Sequence, residues 1–189
     1  MRSVYRQIPN TLAFLRLIMV PLLVWLVLER QFVPAFWLFL ATGMTDALDG
    51  FLARRLDAIT RLGQILDPLA DKLLINGVVA AGWWVDVIPT WLLVVFFGRD
   101  FFMLVGAAVS WRYRQRAKML PNVFGKANTA LQVTYIALIL LTNAYFAPVP
   151  EAVQKIESAI GLLIAISTIA SGLVYLKRAY FWLKTEQTD

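Results

Sequence analysis

Six stretches of predominantly apolar residues, near residues 11–28, 33–53, 64–84, 87–109, 125–146 and 152–176, follow one another with only short polar or proline-containing breaks. A helix of about 20 such residues crosses the hydrocarbon of a bilayer, where a helix or a closed barrel is needed to satisfy every backbone polar group. The pattern therefore predicts an all-α polytopic membrane protein with six transmembrane helices. Composition agrees: 60% of the residues are hydrophobic and 16% are charged, whereas soluble domains carry about 25% charged residues. Residues 1–10 read as a short N-terminal interfacial helix, because Val4, Tyr5 and Ile8 recur at helical spacing while Arg2 and Arg6 lie elsewhere. Pro9 is expected to break that helix, with Asn10 or Thr11 capping the first span. The stretch that follows is too long for a cleaved signal peptide and is interrupted by Arg16. No linker, low-complexity tract or internal repeat divides the chain, so residues 1–189 are expected to form one domain.

Basic residues in short loops stay on the cytoplasmic side of a membrane. Arg2, Arg6, Arg54, Arg55, Arg61, Arg112, Arg114, Arg116, Lys118, Lys126, Lys177, Arg178 and Lys184 fall on one side of the six-span scheme, and only Arg30 and Lys155 on the other. That asymmetry predicts that both termini and the loops after spans two and four are cytoplasmic, and the lack of a targeting segment suits a bacterial inner membrane. A net charge of +6 could suggest nucleic acid as a partner, but in an apolar chain it reads as topology, so no nucleic acid is expected. Trp37, Trp83, Trp84, Trp91, Trp111 and Trp182 fall near span ends, as in an aromatic belt. Arg16, Lys72 and Arg99 lie inside spans and need another reason.

The chain has neither histidine nor cysteine. Disulfides, thiol nucleophiles, imidazole or thiolate metal sites and histidine-based triads are thereby excluded, leaving acid–base and metal chemistry to Asp, Glu, Lys or Tyr. The segment TDALDGFLARRLDAITRLGQILDPLADK, Thr45 to Lys72, concentrates such groups. Asp46 and Asp49 are three apart at the end of span two, and Asp67 and Asp71 four apart at the start of span three, spacings that place each pair on one helix face. A short hairpin would bring the pairs together, and four carboxylates at the edge of a low-dielectric phase need countercharge. Arg54, Lys72, Arg16 and Arg99 supply little of it. Divalent cations are the natural complement: oxygen-only donors select hard ions, and four carboxylates can hold two ions about 4 Å apart, an arrangement that clamps attacking and leaving oxygens in phosphoryl displacement. Gly50, Ala53 and Gly63 among these acids suit either close approach of a ligand or tight helix packing. Arg54 could hold a phosphate oxygen in bidentate fashion.

The segment resembles, without a gap, the signature D-x2-D-G-x2-A-R-x8-G-x3-D-x3-D of the CDP-alcohol phosphotransferase family, carried by Asp46, Asp49, Gly50, Ala53, Arg54, Gly63, Asp67 and Asp71. The resemblance continues through Ile8 to Arg16, Leu66 to Lys72, the Arg99–Asp100 pair and Gly125 to Ala130. It implies a six-helix membrane fold and an enzyme that moves a phosphatidyl or similar group from a CDP-linked donor to an alcohol, releasing CMP. By that resemblance Asp46, Asp49, Asp67 and Asp71 would bind two divalent cations, Mg²⁺ or Mn²⁺. Asp71 would also be the general base, which suits a chain without imidazole. Asp46, Gly50, Ala53, Arg54, Gly63 and Asp67 would line the nucleotide and diphosphate site. Direct attack is expected, since no activated nucleophile is visible.

For the acceptor, Arg99 and Lys126 are the candidates: one cation inside span four and another at the start of span five could converge on an anion. Arg99 could equally be ion-paired with Asp100 or a neighbouring helix, and Lys126 could be a topology charge. The whole-chain pattern is similar to the branch using glycerol-type acceptors. Glycerol 3-phosphate is the expected acceptor for CDP-diacylglycerol, giving phosphatidylglycerophosphate. Asp100, Asn128 and the Trp111–Arg114 stretch are instead similar to members that take phosphatidylglycerol and form cardiolipin, which stands as the alternative. A homodimer in the lipid membrane is what the resemblance implies for assembly. A reading from another class, a divalent-cation transporter, would place acids near the bilayer midplane with symmetry between halves; here they cluster near one interface.

Overall fold

The computed structural model describes residues 8–56, 61–112 and 123–186, with side chains described for 17–45, 69–102 and 127–170 and for Gly125 and Gly172. The described residues are helices and short turns, without strands. In chain order they are α1 Ile8–Leu28, α2 Phe32–Leu56, α3 Arg61–Trp84, α4 Thr90–Arg112, α5 Val123–Tyr145 and α6 Glu151–Glu186. Even α1, with 21 residues, is about 32 Å long at 1.5 Å per residue, matching a hydrocarbon core of about 30 Å. By length and apolar composition, Ala127–Tyr145 and Glu151–Ala170 qualify as membrane spans. The other helices have comparable lengths but carry charged residues: Arg16 on α1, Asp46, Asp49, Arg54 and Arg55 on α2, Arg61, Asp67, Asp71 and Lys72 on α3, and Arg99, Asp100 and Arg112 on α4, with Asp71, Lys72, Arg99 and Asp100 near the middle of their helices.

The helices begin and end for local reasons. The first span starts at Ile8 and runs through Pro9, correcting the expected break there, because a proline in the first turn gives up an N–H that has no helical partner anyway. Residues 1–7 of the expected interfacial helix lie outside the described residues. The Pro89 carbonyl accepts from the amides of Leu92 and Leu93 and starts α4, while Pro150 accepts from Val153 and Gln154 and starts α6. At the far ends of α1 and α3 the chain closes in Schellman turns. Gln31 N–H donates to the Leu26 carbonyl and Arg30 N–H to that of Val27; Val87 and Asp86 do the same to Gly82 and Trp83. Arg30 and Asp86 accordingly sit in the left-handed region, at φ 56° and 62°.

In lipid, apolar burial does not drive helices together; close packing and polar contacts do. α1 packs most extensively on α3, α2 lies against α1 and α5, and α6 lies against α5 and α4. Small residues set two of these approaches. A Cβ on Gly77 would lie 2.9 Å from Val24 Cγ2 across the α1–α3 contact, and one on Gly161 would lie 2.9 Å from Leu92 Cδ1 across α4–α6. The core between the helices holds Leu23, Val27, Val78, Val79, Leu92, Phe96, Tyr135, Ile136, Leu140 and Ile164. Outward, large apolar side chains stay uncovered, with Ile166 62%, Phe101 64% and Trp84 72% exposed. Such a surface suits lipid rather than water. Trp37 Nε1 donates to Tyr145 Oη at 2.9 Å, joining the start of α2 to the end of α5. By chain order, the end of α2, the start of α3, the end of α4 and the start of α5 belong to the opposite end of an up-and-down bundle.

Candidate active site

That end carries the signature. Asp46, Asp49, Gly50, Ala53 and Arg54 fall in the unbroken helix α2, and Gly63, Asp67 and Asp71 in the first turns of α3. Helical backbone through both segments turns the sequence spacing into register: 46, 49, 50 and 53 share one face of α2, and 63, 67 and 71 one face of α3. Asp71 is half-buried. The side chains of residues 46–68, Asp46, Asp49, Arg54 and Asp67 among them, lie outside the described residues, as do those of Arg16 and Lys126. Among the described residues no three acidic side chains come together. The donor set itself, carboxylate oxygens in a chain without imidazole or thiolate, fits a hard divalent cation.

Directly beyond Asp71 the structure shows a polar layer where the apolar spans would otherwise close. Lys72 Nζ lies 3.7 Å from Asp100 Oδ1, and Asn76 Nδ2 donates to Asp100 Oδ2 at 2.8 Å. Lys72 and Asn76 are one turn apart on α3, so both oxygens of a single α4 carboxylate are engaged by one face of α3. The neighbouring Arg99 turns to α5. Its Nη1 donates to Gln132 Oε1 at 2.7 Å, and its Nη2 to Thr129 Oγ1 at 2.9 Å and the Gly125 carbonyl at 3.4 Å. Thr129 in turn donates to the same Gly125 carbonyl. Asn128, wholly buried, donates to Thr168 Oγ1 on α6 at 2.8 Å. The buried Oδ1 atoms of Asn76 and Asn128 have no hydrogen-bond donor among the described residues. An orphaned buried acceptor costs about 1–3 kcal/mol unless water or a ligand satisfies it.

Sequence and structure differ here in an instructive way. Lys72, one of the few countercharges available near the signature carboxylates, forms an ion pair with Asp100 on α4. Consecutive residues on a helix diverge by about 100°, so Arg99 and Asp100 hold different neighbours. Asn76, Thr129, Gln132 and Thr168 were not anticipated, although a signal existed. Gly125, Asn128, Thr129 and Gln132 recur at spacings of three and four within an apolar helix, a polar stripe that lipid would not tolerate outward.

Comparison with known proteins bears on the same segment. Residues 6–177 match the family model described as CDP-alcohol phosphatidyltransferase. The chain is 31% identical over 192 residues to the chloroplastic CDP-diacylglycerol–glycerol-3-phosphate 3-phosphatidyltransferase 1 of Oryza sativa subsp. japonica, covering 92% of this chain and 57% of that protein. It is 35% identical over 142 residues to the CMP-forming cardiolipin synthase of Streptomyces coelicolor, covering 72% and 66%. With the CDP-diacylglycerol–glycerol-3-phosphate 3-phosphatidyltransferase of Bacillus subtilis it shares 32% identity over 153 residues, 78% of this chain and 74% of that one. The chain thus spans little more than half of the plant protein and about two thirds of the Streptomyces one.

Proposed function

This chain belongs to the CDP-alcohol phosphatidyltransferase family, and from that premise we propose that it transfers the phosphatidyl group of CDP-diacylglycerol to glycerol 3-phosphate with release of CMP. The observation that carries the reading is the uninterrupted signature from Asp46 to Asp71 on two consecutive helices, in a chain similar along most of its length to proteins named for that reaction. Asp46, Asp49, Asp67 and Asp71 would hold two divalent cations, Mg²⁺ or Mn²⁺. Bound there, such ions supply a positive field for charge developing on the diphosphate and the departing CMP.

The remaining work falls to the chain's own groups. Asp71 takes the proton from the acceptor hydroxyl as its oxygen attacks the β-phosphorus, the one bearing the diacylglycerol; the bond to the bridging oxygen breaks and CMP leaves with that electron pair. Arg54 holds the diphosphate. Asp46, Gly50, Ala53, Gly63 and Asp67 line the nucleotide site, the small residues leaving room for it. Arg99, anchored beside Gly125, and Lys126 place positive charge where an anionic acceptor must arrive. Six spans in a bacterial inner membrane, with termini and site on the cytoplasmic side, complete the reading, supported by the one-sided basic residues. The single domain is expected to work as a homodimer.

A second acceptor has a specific observation in its favour. Asp100, Asn128 and the Trp111–Arg114 stretch are similar to members that take phosphatidylglycerol, and the Streptomyces relative is named a CMP-forming cardiolipin synthase. The test is release of CMP from CDP-diacylglycerol by detergent-purified protein with Mg²⁺ or Mn²⁺, glycerol 3-phosphate, phosphatidylglycerol, inositol and serine being supplied one at a time. Turnover with glycerol 3-phosphate supports the first reading, turnover with phosphatidylglycerol alone the second. Metal uptake into vesicles without CMP release would point to transport instead.

A further inference from the structure

The base-bearing helix α3 and the acceptor-side helix α5 are both tied to α4, and to adjacent residues of it. Asp100 receives Asn76 Nδ2 at 2.8 Å and faces Lys72 Nζ at 3.7 Å, while Arg99 holds Gln132, Thr129 and the Gly125 carbonyl. We propose that Asp100 is a positioning residue for the transfer reaction, its carboxylate fixing the rotation of α3 and thereby the direction in which Asp71 faces the acceptor. The proposal rests on the function proposed above.

The geometry is that of a two-point hold. One contact between two helices leaves each free to roll about it; two contacts one turn apart on the same helix, both made by one carboxylate, do not. Lys72 follows Asp71 directly, so a roll of α3 that breaks the Lys72 contact swings Asp71 by the same angle. The carboxylate is 16% exposed, where a charge-assisted bond is stronger than at a wet surface. Asn76 has its amide oxygen orphaned, and its only described side-chain hydrogen bond is the one to Asp100. Arg99, one residue earlier, prevents α4 from following α3, because three acceptors on α5 hold it. Misplacing a reacting group by about 1 Å can lower a rate about 100-fold.

The test compares Asp100→Ala, Asp100→Asn, Asn76→Ala and the Asp100→Ala/Asn76→Ala double variant with the wild-type protein, by steady-state CMP release and thermal melting in the same detergent. Asp100→Ala is expected to lower kcat by about 10- to 100-fold while KM for CDP-diacylglycerol changes less than about twofold. Asp100→Asn, which keeps an oxygen for Asn76 but not the charge facing Lys72, should fall between. The double variant should lose no more than Asp100→Ala alone, because both single changes break the same hold. A folded Asp100→Ala protein with wild-type kcat overturns the proposal, and so do losses that simply multiply in the double variant. Should Asp100→Ala fail to fold, Asn76→Ala decides: unchanged kcat overturns the proposal, while reduced kcat at unchanged KM supports it. Wild-type protein that releases no CMP with any acceptor would instead remove the functional reading on which the proposal stands.

Discussion

In a chain without histidine or cysteine the proton acceptor is left to Asp, Glu, Lys or Tyr, and Asp71, half-buried at the start of the polar layer, is the one proposed. General-base groups contribute about 100- to 10,000-fold. Asp71→Asn is accordingly expected to lose kcat within that range, with its melting profile kept, in the CMP-release assay; wild-type turnover would remove the assignment. Gln132, 2% exposed, accepts from Arg99. Gln132→Leu leaves that N–H without its acceptor, so melting in detergent should report a loss of about 1–3 kcal/mol. At this scale the sequence was informative about charge and poor about partnership. The spacing of Asp46, Asp49, Asp67 and Asp71 survives as helix register, but no spacing rule could tell that Lys72 pairs with Asp100 on α4. That choice depends on which face of α4 meets α3, and helix packing alone determines it.

Between helices, small residues and turn chemistry govern. The α1–α3 contact leaves no room at Gly77, where a Cβ would already approach Val24 Cγ2 to 2.9 Å. Gly77→Leu should therefore cost about 1–3 kcal/mol by overpacking, read as a lowered melting temperature. The opposite sign is expected at Arg30, held at φ 56° by its Schellman turn. Arg30→Gly removes left-handed strain of about 1 kcal/mol, partly offset by the greater entropy of the unfolded chain; a slightly raised melting temperature is the expected result. Helix placement was legible in advance because apolar runs and prolines mark it: the expected spans at 33–53 and 64–84 lie inside α2 and α3. The ends were less legible. Pro9 reads as a break although a first turn accepts it, and α6 runs to Glu186, ten residues beyond the expected end, since charged residues such as Lys177 and Arg178 are as good helix formers as the apolar ones before them.

Seen whole, the described bundle has an apolar, lipid-suited flank, and the proposed topology, argued from the one-sided basic residues, puts the signature end in the cytoplasm. A chain without native cysteine makes this directly testable. In intact cells a membrane-impermeant maleimide should label an Asp86→Cys protein, and a Lys118→Cys protein only after the membrane is opened; labelling of both from outside would refute the topology. The central claim is that four carboxylates from α2 and α3 hold two hard cations about the transferred phosphate. Its most direct measurement is Mn²⁺ binding to the detergent-purified protein, by electron paramagnetic resonance titration of the wild-type and Asp49→Asn forms in the presence of CMP. Two ions per chain, spin-coupled at a separation of about 4 Å and lost together or in part in Asp49→Asn, is the expected result. No saturable binding, or binding that Asp49→Asn leaves unchanged, would contradict it.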